Sequence, residues 1–301
     1  MPFRRLVRHC IFTLAGLALL APCAFGQPQD APFEVHDHVV FDLLDEEHLG
    51  NVIYRPNGEE GEFLAWGRLP IQKWPFGSSQ QTQIVPEGEG VQYTDHGTVG
   101  ENEQRYTNGG AVLDVDDDGA MELVVGRGTG EAIADSKLYW FDEQPNATHW
   151  QEHYIADTGE GNYVAPHDVK AFSVELPSGE AVRGVVGNIG RDDVFFLEIP
   201  DDSTQPWIRH EVGTFPAGNQ SGMEVVDVND DGRNDIVSGM FWIETPADPR
   251  QDDWTFHRYG TWDRSNEGWG GMNMHGVADF DGDGQLEIVA SEAEIPGARL
   301  S

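Results

Sequence analysis

One segment recurs four times along this 301-residue chain at nearly constant spacing, and the repeat narrows the possible folds more than any other feature. Aligned on Asp114, Ala171, Asp227 and Asp279, the copies lie 57, 56 and 52 residues apart. A short run of β-forming residues ending in a small residue follows each copy: 123–126, 185–187, 236–239 and 288–291. Self-similarity at a fixed period of this length is typical of repeat architectures.

Two further runs complete the repeating unit. A third apolar run occupies 138–141, 194–197 and 241–243. A fourth run pairs a tryptophan with a histidine three residues later: Trp150 and His153, Trp207 and His210, Trp254 and His257. Four short strands repeated every ~55 residues predict an all-β protein, a β-propeller of four-stranded blades. Because the Trp and His series recurs once per unit, we interpret it as packing.

The repeat also predicts where the blades begin and end. The predicted blades are 111–165, 166–222, 223–274 and a partial blade, 275–301. Segment 27–110 contains strand-like pieces at 51–54, 63–66 and 91–95, whose place in the repeat the sequence leaves open. We expect either a propeller truncated at its C-terminus or N-terminal strands that complete the last blade, since an open edge exposes unpaired strand groups.

Three of the four copies contain the pattern Asp-x-(Asp/Asn)-x-Asp-Gly-x-x-(Asp/Glu). Its oxygen-bearing residues are Asp114, Asp116, Asp118 and Glu122; Asp227, Asn229, Asp231 and Asp235; and Asp279, Asp281, Asp283 and Glu287. Alternate residues of a tight loop can direct several oxygens at one centre, and hard oxygen donors in that number suit Ca²⁺. The loops contain no Cys or His, which argues against Zn²⁺. The pattern predicts about three structural Ca²⁺ sites.

Two other interpretations of the acidic loops are an EF-hand and a turn without an ion. An EF-hand requires Glu at loop position 12, where this chain has Val125, Ser238 and Ala290. An acidic turn without an ion is the simpler alternative, because Asp and Gly favour turns by themselves. Three near-identical copies at one period favour metal binding. The second copy, with Ser173 and Glu175, lacks the pattern and is predicted to bind no ion.

These acidic nonapeptides and their strand contexts resemble FG-GAP/VCBS-type repeats over 105–301. Such repeats form calcium-binding propeller blades in integrin α-subunits and many secreted bacterial proteins. Thrombospondin type 3 repeats and dockerins contain similar nonapeptides, but at shorter intervals and without four intervening strands. The resemblance implies that each acidic loop joins the inner two strands of a blade, that its Ca²⁺ is structural, and that the opposite face binds ligand.

On that opposite face the repeat places residues able to bind a ligand or to move a proton. They are His167, Asp168, Asn188, Arg191, Trp269, Asn273 and His275. His167 and His275 occupy matching positions in two blades and are the catalytic candidates, as general bases. The same two histidines can instead have only a structural role, because a histidine at the start of an inner strand can hydrogen-bond to a neighbouring blade.

Two functions stay open. The first is a Ca²⁺-stabilised binding module for an extracellular glycan or protein. The second is an enzyme, because some propellers with these repeats resemble polysaccharide lyases or sugar dehydratases that use His or Tyr to abstract a proton. The formal charge of −35, from 53 acidic and 18 basic residues, argues against a nucleic-acid partner, since phosphate binding requires a basic surface.

Residues 1–26 have the organisation of a cleaved export signal, with early arginines, an apolar run at 11–20 and small residues at 24–26. The run is shorter than the ~20 residues of a transmembrane helix, so no membrane span is predicted. Pro22 makes Cys23 a poor lipidation site. We therefore expect a secreted, periplasmic or cell-surface protein. Both cysteines lie in this signal, so the exported chain has no disulfide.

Overall fold

The computed structural model describes twelve stretches of the chain, and every regular element in them is a β-strand. The described residues are 49–56, 61–67, 71–75, 82–86, 104–129, 134–143, 149–159, 165–189, 193–215, 222–251, 253–260 and 271–293. The predicted all-β class, with four-stranded antiparallel sheets, is confirmed. The predicted export signal and the strand at 91–95 lie outside the described residues.

The first eight strands form two consecutive sets of four. They are β1 (Leu49–Arg55), β2 (Glu62–Gly67), β3 (Ile71–Pro75), β4 (Thr82–Pro86), β5 (Gln104–Leu113), β6 (Glu122–Thr129), β7 (Ala134–Glu143) and β8 (His149–Asp157). Within each set, consecutive strands pair antiparallel. A short parallel pairing of β4 with β8 joins the sets into one sheet of order β1-β2-β3-β4-β8-β7-β6-β5. The predicted strands 51–54 and 63–66 lie within β1 and β2.

The next eight strands form two separate four-stranded antiparallel sheets, and the last two form a hairpin. The strands are β9 (Pro166–Glu175), β10 (Ala181–Ile189), β11 (Asp193–Glu198), β12 (Ile208–Thr214), β13 (Glu224–Val226), β14 (Asp235–Ser238), β15 (Phe241–Glu244), β16 (Thr255–Arg258), β17 (Gly271–Ala278) and β18 (Glu287–Ala293). Along the chain, β5 contacts β9, β9 contacts β13, and β13 contacts β17. The first strands of successive units are therefore neighbours.

Apolar side chains of successive units pack against one another in shared core clusters. One cluster joins the unit of β5–β8 to that of β9–β12 through Val124, Trp140, Val185 and Phe195. Strands β6 and β10 are buried along most of their length, which explains why both read as nearly continuous apolar runs in the sequence. Burial of one such side chain contributes about 1.5–3 kcal/mol, so this packing is a main source of stability.

The repeated tryptophans and histidines have packing roles. Trp150, Trp207 and Trp254 are buried. The ring of His153 stacks on Trp140, and that of His257 on Trp242, each with centroids 4.1 Å apart. His210 stacks on Phe196 in the same way at 5.4 Å. In these three units, the histidine of the fourth strand thus packs on an aromatic residue of the third. Among the described residues, no helix is long and apolar enough to cross a membrane.

Candidate metal centres and inner-strand cluster

The three acidic loops share one closing hydrogen bond. The ninth-position acid is the first residue of the following strand, and one of its oxygens accepts a backbone N–H from the loop start. These bonds are Val115 N to Glu122 Oε2 (2.7 Å), Val228 N to Asp235 Oδ2 (3.1 Å) and Phe280 N to Glu287 Oε2 (2.8 Å). The acid is thereby held against its loop, as a returning ligand must be.

A second bond shapes each loop around its first aspartate. The glycine at the sixth position of the pattern donates its N–H to Oδ2 of that aspartate. These bonds are Gly119 to Asp114 (3.2 Å), Gly232 to Asp227 (2.8 Å) and Gly284 to Asp279 (2.9 Å). These glycines have φ of 90°, 86° and 90°, a left-handed conformation in which a side chain is strained. The Gly of the pattern is therefore required by the loop geometry.

The first acidic loop, 114–122, holds the most concentrated carboxylates. Donor oxygens of Asp114, Asp116 and Glu122 lie within 4.8 Å of one another. Asp114 Oδ1 is buried and accepts no hydrogen bond from the described residues. Burial, reinforced by the Asp116, Asp118 and Asp114 carboxylates, raises the pKa of Glu122 to about 7, although the hydrogen bond from Val115 N–H acts to lower it. A buried oxygen without a donor, among mutually repelling carboxylates, fits a hard divalent cation.

The last acidic loop, 279–287, repeats this arrangement in a more exposed place. Oxygens of Asp279, Asp281 and Glu287 again lie within 4.8 Å of one another. Asp283 uses one oxygen to accept the N–H of Gln285 at 2.8 Å, as Asp118 does for Ala120 in the first loop. The donor set is the same oxygen-only set, so both loops suit the same class of ion.

In the middle acidic loop, 227–235, an arginine of the loop itself pairs with one of the carboxylates. Asp231 forms an ion pair with the guanidinium of Arg233, which also donates from Nε to Thr245 O at 2.9 Å. Asp235 accepts backbone N–H groups on both oxygens, from Val228 and from Thr245 at 2.8 Å. Burial raises the pKa of Asp235 to about 6. Because Asn229 replaces the acid found at the third position of the other two loops, this fully described loop has no matching trio of carboxylates.

The second unit, strands β9–β12, has no acidic loop of its own, and its Arg183 donates hydrogen bonds to the acidic loop of the preceding unit. Its β9–β10 turn is closed by Leu176 N to Glu180 O at 2.8 Å. Arg183 reaches back to the first acidic loop and donates to Asp114 O at 3.1 Å and to Asp117 Oδ2 at 2.7 Å.

An inner-strand cluster lies at the other end of these strands, around Asp168. This residue donates its N–H to Asn188 Oδ1 at 2.8 Å and accepts the N–H of Met223 on Oδ2 at 2.9 Å, which links β9 to the next unit. Lys170 Nζ lies 3.9 Å from Asp168 Oδ2 and 3.6 Å from Glu224 Oε1. Burial raises the pKa of both carboxyls. The predicted Asp168 and Asn188 thus meet.

Lys170 and Glu224 belong to the inner-strand cluster but were not among the predicted site residues. One signal was available in the sequence, because Lys170 is one of only three lysines in the chain, with Lys73 and Lys137. Glu224 carries no such signal among 53 acidic residues. Its contact with Lys170 depends on how β13 packs beside β9.

Of the two predicted catalytic histidines, His275 is buried and hydrogen-bonded to the backbone. It donates from Nε2 to Gly239 O at 2.9 Å, and burial lowers its pKa to about 4. His275 Nδ1 accepts no hydrogen bond from the described residues. His167 is half-buried at the start of β9. Arg191 and Trp269 lie outside the described residues, and Asn273 is described only as backbone in β17.

A scan against protein-family models finds no match, and a search of curated proteins finds none either. The side chains described above are therefore the basis for a functional assignment.

Proposed function

We propose that this protein is a secreted, Ca²⁺-stabilised β-propeller that binds an extracellular glycan or protein. The observation that carries the proposal is the first acidic loop, where Asp114, Asp116 and Glu122 converge around a buried oxygen without a donor. The propeller arrangement is supported by the succession of contacts from β5 to β9, β13 and β17, which places the first strands side by side.

Calcium has a structural role in this proposal. Asp118 and Asp283 complete the donor sets of the first and last loops. Each gives one oxygen to a backbone N–H, and the other oxygen of Asp283 accepts the exposed side-chain amide of Gln285 at 3.2 Å, which an ion would displace. The middle loop binds more weakly, since Arg233 has to leave Asp231 before an ion can enter. An ion that binds only the folded state stabilises it by mass action, and these loops replace the disulfides that the exported chain lacks.

The ligand surface is assigned to the end of the strands opposite the acidic loops. The inner-strand cluster lies there, with Lys170, Asp168 and Glu224 each about one quarter exposed. Ammonium and carboxylate groups at such a surface suit the hydroxyl groups of a glycan or polar groups of a protein. Residues 1–26, outside the described structure, are the proposed export signal, consistent with an extracellular ligand.

The alternative, a lyase or dehydratase using His167 or His275, has weaker support. A general base works best when its pKa lies near the operating pH. Burial holds the pKa of His275 at about 4, and its Nε2 is bound to Gly239 O, so this residue is better suited to structure than to proton abstraction. His167 is the remaining candidate base.

Calorimetric titration of the chelator-treated, full-length protein with Ca²⁺ tests the metal assignment. We expect two ions to bind with high affinity and a rise in Tm to accompany them. No binding and no change in Tm would overturn it.

A panel of acidic and neutral polysaccharides, tested for binding and for new absorbance from an unsaturated product, separates the two functions. Binding alone supports the binding module, and product formation that His167→Ala abolishes supports the enzyme.

A further inference from the structure

The N-terminal unit, strands β1–β4, has the same hairpin arrangement as the units with acidic loops, although its sequence lacks their pattern. In four units the second strand begins with an acid: Glu62 in β2, Glu122 in β6, Asp235 in β14 and Glu287 in β18. Each acid pairs across its hairpin with the end of the preceding strand: Arg55, Leu113, Val226 and Ala278. Glu62 therefore occupies the position of the ninth-position acid.

The surroundings of Glu62 differ from those of the other acids because two cations of the chain lie against it. Arg55 donates from Nε to Glu62 Oε1 at 2.5 Å, and its Nη2 forms ion pairs with Glu62 and Glu143. Lys73 Nζ lies 3.4 Å from Glu62 Oε2 and also pairs with Glu143. Two positive and two negative side chains thus balance in one place.

This group is part of the core. Arg55 and Glu62 are 3% and 2% exposed. The Arg55 guanidinium lies 4.5 Å over the ring of Trp150, and its Nη1 donates to Met121 O at 3.2 Å, at the edge of the first acidic loop. The guanidinium is therefore held on every side. Glu122, at the equivalent position, has three aspartates for neighbours and forms no ion pair with a cation among the described residues.

We propose that Arg55, assisted by Lys73, takes the place in the N-terminal unit that a divalent cation takes beside Glu122 and Glu287, and so makes this unit independent of Ca²⁺. A buried carboxylate requires a positive partner, and here the chain supplies it permanently. The inference rests on the proposed function in one respect, that the first and last acidic loops bind Ca²⁺.

Thermal unfolding of the full chain in chelator tests the role of Arg55. The variants are Arg55→Met, the double variant Arg55→Met/Glu62→Gln, and Arg209→Met as a matched control, because Arg209 makes a 2.7 Å contact with Glu211 on the surface. We expect Arg55→Met to lower Tm by about 10 °C, since a buried carboxylate loses its partner. The control should change Tm by about 1 °C or less. The double variant should recover more than half of the loss.

A loss no larger than that of Arg209→Met, or a double variant no better than Arg55→Met, would overturn the proposal. If Arg55→Met does not fold, the double variant still provides the test: it must fold and show a cooperative melting transition, and a double variant that also fails to fold would overturn the proposal. Arg55→Lys, which keeps the charge, should fall between the wild type and Arg55→Met.

Hydrogen exchange measures the independence from Ca²⁺ directly. In chelator, amides of β1 and β2 should keep their protection while those of 114–122 lose theirs. Loss of protection in β1 and β2 on chelation would overturn the inference. If chelation changes no segment at all and Ca²⁺ does not bind, the metal proposal fails, while the Tm loss of Arg55→Met still stands on its own.

Discussion

The first and middle acidic loops have nearly the same sequence pattern and nearly the same backbone, yet they differ in how their carboxylates are used. In 114–122, three carboxylates converge and one buried oxygen has no donor among the described residues. In 227–235, Arg233 pairs with Asp231 and backbone N–H groups occupy both oxygens of Asp235. The shared pattern therefore specifies the loop shape, whereas Asn229 and the pairing of Arg233 with Asp231 leave the middle loop with fewer carboxylates available to a cation than the first.

The largest expected difference between the two loops is in calcium-linked stability. Asp114→Asn should abolish binding at the first loop and remove its stabilisation, about 2.7 kcal/mol at a Ca²⁺ concentration one hundred times Kd. The matched variant Asp227→Asn should leave most of the calcium effect in place. Titration calorimetry and Tm in Ca²⁺ measure both; equal losses in the two variants would contradict the distinction drawn here.

A smaller change should convert the middle loop into a stronger site. Arg233→Gln frees the carboxylate of Asp231, and we expect Ca²⁺ titration to show one more ion bound per chain. Without Ca²⁺ the variant should lose about 1 kcal/mol or less, because the pair is partly exposed. Arg258→Gln, at an exposed arginine outside the loops, is the control. An unchanged stoichiometry would show that Arg233 does not limit binding.

The pH dependence of stability in chelator should come next in size. The pKa of Glu122 is raised to about 7 and that of Asp235 to about 6 in the fold, so the folded protein binds more protons than the unfolded chain. This contribution is fully present below about pH 4 and is lost as pH rises through 6 and 7. We expect Tm in chelator to fall by a few degrees from pH 5 to pH 8.

Saturating Ca²⁺ should cancel the part of this slope that comes from the first loop, because the ion offsets the Glu122 charge. Glu122→Gln should flatten the slope in chelator, whereas Asp118→Asn, at an exposed loop position, should change it less. A slope that is the same in wild type and Glu122→Gln would assign the pH effect to the general negative charge of the chain.

The smallest effect is expected at the contact between the second unit and the first loop. Arg183→Met removes the donors to Asp114 O and Asp117, of which Asp117 is exposed. We expect a loss of about 0.5–1 kcal/mol, with calcium affinity lowered by less than Asp114→Asn lowers it. Urea unfolding with and without Ca²⁺ measures this, and a loss as large as that of Asp114→Asn would mean that Arg183 organises the metal site.

Much of the fold could be predicted from local pattern. The β-runs at 123–126, 185–187, 236–239 and 288–291 all fall within or at the end of observed second strands, because apolar β-forming residues between Gly and Asp turns have few other structures available. The N-terminal unit could not be placed in the repeat, since its hairpin between Arg55 and Glu62 lacks the aspartates that mark the other units.

The candidate site was predicted only in part. The carboxylates that converge in the first and last loops lie within nine residues of one another in the chain, so local spacing was sufficient to bring them together. Lys170 on β9 contacts Glu224 on β13, and this contact could not be predicted because it depends on how the two strands pack, not on spacing within either one.

By itself, the sequence determined the all-β class, the repeat and the three acidic loops, because strand formation and loop reversal depend on neighbouring residues in the chain. Only the tertiary structure decided which carboxylates keep a free oxygen. That choice depends on long arginine side chains: Arg233 turns back onto its own loop, Arg183 crosses to the neighbouring unit, and Arg55 is buried against Glu62. The direction of a flexible side chain is set by the packing around it.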